Sequence, residues 1–178
     1  MANKIYTGRG DGGTTSVFGC AQRISKSACQ IEALGSVDEV NSFVGWCRAQ
    51  VNDQDIKQWL EEVQQNLSIV QAEIAGAEKN IKQEQVELLE QRIAELSAEL
   101  PKITNFVLPG ATTVAAMLDV ARTMARRAER RVIEAVEKKE VVIGTPTLAY
   151  LNRLSSLLYA MARVTVVRSR EQEQTPKY

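Results

Sequence analysis

Residues 119–140 read DVARTMARRAERRVIEAVEKKE. Wound as a helix at about 100° per residue, they put Ala121, Ala125, Ala128 and Val132 in line with the preceding Leu118. That is the apolar stripe an amphipathic helix buries. Arg122, Arg126, Glu129 and Arg130 fall beside the stripe rather than opposite it. Arginines four apart repel by about 0.2–0.5 kcal/mol per pair, and a single glutamate does not neutralise three of them. A row of guanidinium forks flanking a core seam suits a polyanion held against a helical bundle, because each fork grips phosphate oxygens bidentately. As helix physics alone, the same residues also describe a solvated basic face whose side-chain stems cover the seam.

The rest of the composition narrows the choice. A chain of 178 residues is long enough for one domain with a substantial core. Lys plus Arg is 22 and Asp plus Glu is 22, whereas a general nucleic-acid binder carries a basic surplus. The positive charge is local, which fits a small polyanion and no nucleic-acid partner. Cys20, Cys29 and Cys47 are odd in number and lack C-x-x-C spacing, so free thiols in a reducing compartment are expected rather than a disulfide frame or a zinc site. No secretory segment and no apolar run of membrane-spanning length is present; a cytoplasmic protein without a membrane partner is expected. The chain contains no histidine. Ser-His-Asp or Cys-His catalysis, an imidazole base and histidine metal ligation are therefore excluded within it. Chemistry must come from positioning, charge and the substrates themselves.

Residues 1–31 read as non-helical, with a short strand at Lys4-Ile5-Tyr6 followed by TGRGDGGTTSVFG over 7–19. Glycines at 8, 10, 12, 13 and 19 permit positive φ and let backbone N–H groups converge on an anion. Gly8, Gly10 and Gly13 satisfy G-x-G-x-x-G, but no βαβ unit surrounds them; no Gly-Lys-Ser/Thr follows to make a P-loop. Thr14, Thr15, Ser16 and Lys26 supply hydroxyls and a cation of the kind phosphates use. The alternative for this segment is a flexible arm.

Five helices are expected. The first starts at Ser36, which forms an S-x-x-E capping box with Glu39 and has Asp38 in its first turn, where the helix dipole favours a carboxylate. The second runs from Asp53 to Ala75 and the third from Gln83 to Leu100, stopping before Pro101. The segment KITNFVLPG (102–110) is apolar around Phe106, which reads as a core plug in preference to a pocket wall. The arginine helix follows. The last helix has Thr145 as N-cap and Pro146 at its first position. Asn152, Ser155, Ser156, Tyr159 and Arg163 form its polar face. Trp46 and Trp59 read as core or interface anchors. The whole is a single all-α domain over 1–178: a glycine-rich N-terminal arm (1–35), a five-helix bundle (36–170) and a polar tail (171–178) expected to be disordered.

Four separated stretches, KIYTGRGDGGTTSVFG (4–19), EALGSVDEVNSFVG (32–45), NFVLPG with RTMARRAERR (105–131) and YLNRLSSLLYAMAR (150–163), together resemble the PduO-type ATP:corrinoid adenosyltransferases. The resemblance implies five helices per subunit and a homotrimer with active sites between neighbours. It implies transfer of the 5′-deoxyadenosyl group of ATP to the cobalt of a cob(I)alamin-type corrinoid, with Mg2+ accompanying the phosphates and triphosphate released. A flavoprotein reductase and a cobalamin-dependent enzyme are the implied protein partners. Carried over by position, Thr7, Gly8, Arg9 and Gly10 match the N-terminal ATP-binding turn. Thr15 and Ser16 match its hydroxyl pair and Lys26 its phosphate-contacting lysine. Arg126, Arg127, Glu129 and Arg130 match the arginine-rich ATP motif, and Asn152 the asparagine before Arg153-Leu154-Ser155. Asp38 and Arg122 resemble a pair that bridges subunits, and Phe106 the aromatic residue that crowds out the corrinoid's lower axial ligand. The chain departs from the family's Gly-Gly-Glu-Arg at Gly19-Cys20-Ala21-Gln22-Arg23, one residue longer, and has Gln30 where a second basic residue is usual. The alternative this leaves is a catalytically weakened carrier of ATP and corrinoid with the same fold.

Overall fold

The computed structural model describes residues 5–17, 22–102 and 105–177. Five helices carry the architecture: α1 (Cys29–Gln50), α2 (Gln54–Ile74), α3 (Gln83–Glu99), α4 (Thr113–Glu137) and α5 (Thr145–Arg168). A two-stranded antiparallel hairpin precedes them, β1 (Thr14–Thr15) against β2 (Ile24–Ser25), with Thr14 opposite Ser25 and Thr15 opposite Ile24. Helix α4 packs on both α1 and α5; α1 also packs on α2, and α5 on α3. The arginine helix is thus the centre of the bundle. Its expected stripe, Leu118, Ala121, Ala125, Ala128 and Val132, is buried throughout. Small residues dominate that stripe, which lets α1 and α5 approach closely, while Leu60, Leu67, Leu151, Leu154 and Leu158 fill the remaining core. Each such leucine contributes about 1.5–3 kcal/mol of apolar burial.

Several boundaries differ from the sequence expectation. Helix α1 begins at Cys29, about two turns before Ser36, and Ser36 is a buried residue in its interior. The apolar stripe simply continues backward through Ala33. The acceptor that ends the helix comes from far away: the Gln30 N–H donates to Glu140 Oε2 at 2.8 Å. The arm is correspondingly shorter than 1–35. Strand structure lies at β1 and β2 rather than at Ile5-Tyr6, and Lys4 is outside the described residues. In α5, Gly144 takes the N-cap position, Thr145 is the first helical residue and Pro146 the second; proline's missing N–H is still harmless there. Helix α2 starts as expected, with Asp53 accepting from the Asp55 and Ile56 amides at 3.1 and 3.2 Å. The segment 171–177 has no regular secondary structure, yet it is tied down. Gln174 O accepts from the Leu108 amide at 2.7 Å, and Glu173 meets Arg163. Cys29 and Cys47 are free thiols, and burial pushes the Cys47 thiol up to about 11. Cys20 lies outside the described residues. Among the described residues no helix is long and apolar enough to cross a membrane.

Candidate functional site

The glycine-rich arm folds as a hairpin. Gly8 and Gly13 have φ of 70° and 76°, which only glycine adopts without strain, and they allow the turns Asp11 N–H to Gly8 O and Gly13 N–H to Gly10 O. The Lys26 amide closes the hairpin on Gly13 O at 2.9 Å. Thr7 Oγ1 accepts from the Arg9 amide at 3.3 Å. The Lys26 side chain lies directly over Gly10: a Cβ there would sit 3.2 Å from Lys26 Nζ. Thr15 is half-buried, while Thr7, Arg9, Ser16 and Lys26 are exposed. Sequence reasoning missed Arg23, which holds this loop by three hydrogen bonds to Arg9 and Thr14. An arginine between two turn-forming segments was the available signal.

The second group lies on the α4 face next to α5. Glu129 Oε1 accepts from Asn152 Nδ2 at 2.8 Å, so the glutamate and the asparagine meet although they are far apart in sequence. Asn152 Oδ1 in turn accepts from Arg153 Nη1 at 2.7 Å. Arg127 is paired with Glu39 of α1, and Arg130 Nη1 donates to Arg126 O at 3.1 Å. Arg131 is committed to Glu134 at 2.9 Å; Lys138 first, and Arg131 second, hold that carboxyl down to about 2. The Arg126 guanidinium alone in this run is exposed with neither a side-chain nor a backbone partner among the described residues.

The third group surrounds a cavity of about 820 Å³ between the Phe106 loop, α4, α5 and the C-terminal segment. Phe106 is 82% exposed, so it is a pocket wall and the core-plug reading is corrected. An aromatic ring on an apolar loop is not obliged to enter the core when the helices already fill it. Under this wall lies a buried ion pair that the sequence did not disclose. Arg163 Nη2 donates to Asp119 Oδ2 at 2.5 Å, with side-chain exposures of 4% and 6%. Arg163 also stacks its guanidinium 5.3 Å from the Tyr159 ring and contacts Glu173 Oε1 at 2.5 Å. Asp119 Oδ1 sits 3.5 Å from Arg122 Nε, an ionic contact that leaves the buried Arg122 Nε–H without a hydrogen bond among the described residues.

The structure brings the arm residues together at the hairpin, Arg126, Arg127, Glu129, Arg130 and Asn152 together on α4 and α5, and Phe106 and Arg122 together at the cavity. Among the described residues no hydrogen bond or ion pair joins the arm to the arginine face. Asp38 and Arg122 do not meet within the chain: exposed Asp38 accepts from Gln71 Nε2 at 2.9 Å.

Comparison with known proteins places this arrangement. Residues 5–165 match the family described as cobalamin adenosyltransferase. The corrinoid adenosyltransferase PduO of Salmonella typhimurium is 39% identical over 166 residues, which cover 89% of this chain and 48% of that protein. The corrinoid adenosyltransferase of Bacillus subtilis is 37% identical over 174 residues, covering 93% of this chain and 88% of that protein. The chain thus spans about half the length of the PduO relatives and most of the length of the shorter one. A variant PduO-type ATP:corrinoid adenosyltransferase from Lactobacillus reuteri, solved in complex with cobalamin and ATP, superposes with a TM-score of 0.90 at 34% identity, covering 98% of this chain and 97% of that one. A match over nearly the whole bundle and arm, in sequence and in fold, means that the chain belongs to the cobalamin adenosyltransferase family.

Proposed function

We propose that this protein transfers the 5′-deoxyadenosyl group of ATP to the cobalt of a cob(I)alamin-type corrinoid. In this reaction the substrate's reduced cobalt is the nucleophile. Its electron pair forms the Co–C5′ bond, the C5′–O bond breaks, and triphosphate leaves with its charge held by the protein. No protein base is required, which suits a chain without histidine. The chain's work is to clamp a polyanion and aim a carbon atom.

The observation that carries this reading is the Arg126 guanidinium, without a partner among the described residues, beside the Glu129–Asn152 pair. It is a free cationic fork in a chain of this family. On this reading Arg126, Arg127 and Arg130 face the triphosphate, and Glu129 and Asn152 hold the edge of that face. Thr7, Gly8, Arg9, Gly10, Thr15, Ser16 and Lys26 close the arm over the nucleotide. Phe106 stands beneath the corrinoid as an apolar wedge, and Arg122 approaches the same cavity. Mg2+ would arrive on the ATP phosphates, with the Thr15 and Ser16 hydroxyls suited to it. A homotrimer is part of the proposal: Asp38 of one subunit would supply the partner that the buried Arg122 Nε–H lacks. Exposed Trp46 and Val120 offer apolar contact area. A flavoprotein reductase would supply cob(I), a cobalamin-dependent enzyme would take the product, and the cytoplasm is the setting.

The test is a single-turnover reaction with ATP and chemically reduced cob(I)alamin. The expected result is adenosylcobalamin and triphosphate in equal amounts. Bound ATP and corrinoid with no triphosphate would overturn the transferase reading and leave a carrier.

A further inference from the structure

Asp119 and Arg163 meet where charge is costly. Both line the cavity beside Phe106, and their side chains are 6% and 4% exposed. Taking two ions out of water costs about as much as their attraction returns, so an apolar pair of similar volume would serve the bundle as well or better. The surroundings favour such a pair: Leu118 and Ala121 in α4 and Ala162 and Val164 in α5 are fully buried. Packing alone therefore does not account for an ion pair at this point. What the carboxylate touches next does.

The two oxygens of Asp119 serve different arginines. Oδ2 accepts from Arg163 Nη2 at 2.5 Å. Arg163 is itself held, with its guanidinium 5.3 Å from the Tyr159 ring one turn earlier on α5. That bond fixes the plane of the carboxylate and leaves Oδ1 facing Arg122 Nε at 3.5 Å. An exposed pair three residues apart on a helix is worth little, because both side chains stay mobile and water screens them. Here one partner is immobile and dry, so the attraction draws toward a fixed point. Arg122, with 28% of its side chain exposed, is thereby kept at the cavity wall instead of extending into solvent.

We propose that Asp119 is a positioning residue for the corrinoid side of the site, with Arg163 as its anchor. The pair fixes the Arg122 guanidinium in the wall against which the corrinoid seats. The proposal rests on the corrinoid reading of the cavity given above, and it adds two residues that the arginine motif does not contain. It also separates the two substrates. On that reading ATP is clamped from Arg126 onward, whereas a disturbance at Asp119 is felt by the corrinoid.

The experiment compares Asp119→Asn, the paired replacement Asp119→Val with Arg163→Met, and Arg122→Ala with the wild type. Thermal midpoints are measured for each, together with Kd for ATP and Kd for cob(II)alamin in the presence of ATP, the latter from its optical spectrum. Asp119→Asn leaves Arg163 buried without its counter-ion, so the midpoint should fall. The paired replacement keeps the volume close, and methionine retains an unbranched stem against Tyr159. Glu173, the other carboxylate at Arg163, is 26% exposed and is free to turn to solvent. The midpoint of the paired variant should return at least to the wild-type value. Corrinoid binding should not return: Kd for cob(II)alamin should stay about tenfold or more above the wild type in both, with Kd for ATP within about twofold. Arg122→Ala should weaken corrinoid binding by the same factor. Adding it to the paired replacement should weaken binding no further, because residues that act through one another are not additive.

Corrinoid binding that recovers along with stability overturns the proposal and makes the pair purely structural. Losses that multiply when Arg122→Ala is added also overturn it, since Asp119 would then act on something other than Arg122. Should the paired replacement not fold, Arg122→Ala is combined with Asp119→Asn, and multiplying losses there overturn the proposal in the same way. The wild type separates the two readings. If it binds no corrinoid, the cavity reading and this proposal fall together; if it binds corrinoid and the paired variant binds equally well, this proposal falls alone.

Discussion

At Arg126 the structure separates residues that look equivalent in the sequence. Four arginines occur between 126 and 131, but Arg127 is engaged by Glu39, Arg131 by Glu134 and Arg130 by a backbone carbonyl. Removing the free fork should cost one or more charge-assisted bonds to ATP, about 1.5–3 kcal/mol each. Arg126→Ala is therefore expected to lower ATP affinity and turnover together by at least roughly tenfold, with circular dichroism unchanged. Wild-type turnover in that variant would show that the clamp lies elsewhere. Phe106 is the proposed counterpart on the corrinoid side. Because it is 82% exposed, Phe106→Ala should cost little folding stability, so a functional effect can be read cleanly. The expected outcome is near-normal ATP binding, a smaller four-coordinate cob(II)alamin signal and a steep drop in turnover from cob(II), partly rescued by chemically generated cob(I). A full four-coordinate signal in the variant would rule out the wedge.

At the scale of single elements, helix ends decided more than helix interiors. Asp53 at the start of α2 was legible because the acceptor and the amides it caps are neighbours in sequence. It also contacts Arg168 Nη1 at 2.5 Å. Partial desolvation works to raise the Asp53 carboxyl, but the Ile56 amide bond, Arg168 and the Asp55 amide bond outweigh it, and the group lies below its ordinary value. A depressed carboxyl contributes stability that is present above its unfolded pKa and is lost as pH falls through the folded one. Asparagine caps helices as well as aspartate does, so Asp53→Asn isolates the charge. We expect the variant to be less stable by up to about 1 kcal/mol at pH 7 in urea denaturation, with the difference shrinking below the ordinary carboxylate range, near pH 4. A difference that persists unchanged at pH 2.5 would mean that the charge is not its source. Helix α1 shows the opposite case. Its sequence carries a good capping box at Ser36 and Glu39, but the chain ignores it, since Glu140 supplies an acceptor at Gln30 and two more turns of apolar residues become buriable.

For the whole molecule, the proposed site would be completed by a second copy of the chain. Among the described residues Asp38 is exposed and bonded only to Gln71, while Arg122 rests on Asp119 with its Nε–H unsatisfied. If the two meet across a subunit boundary, Asp38→Asn and Arg122→Ala should each be inactive as pure species. Mixed, unfolded and reassembled, they should regain part of the activity, because some interfaces then combine two intact halves. No recovery in any ratio would return Asp38 to a helix carboxylate bonded to Gln71.

The local physics was readable from residues alone. The buried stripe of α4, the starts of α2 and α3 and the candidate phosphate groups all depend on neighbours within one or two turns, and periodicity and capping report on those. Composition alone also removed imidazole chemistry. What only the tertiary structure decided are the pairings between distant segments. Asp119 reads as one more polar residue beside the α4 stripe and Arg163 as one more on the polar face of α5, yet together they form the buried pair beneath the cavity. Arg23 reads as a loop residue and becomes the hairpin's pin, and Phe106 reads as a plug and becomes a wall. The physical reason is the same in each case. A charged or aromatic side chain has no preferred place until packing determines which groups surround it, and those lie beyond the reach of local patterning: 44 residues away for Arg163 and 9 and 14 for Arg23.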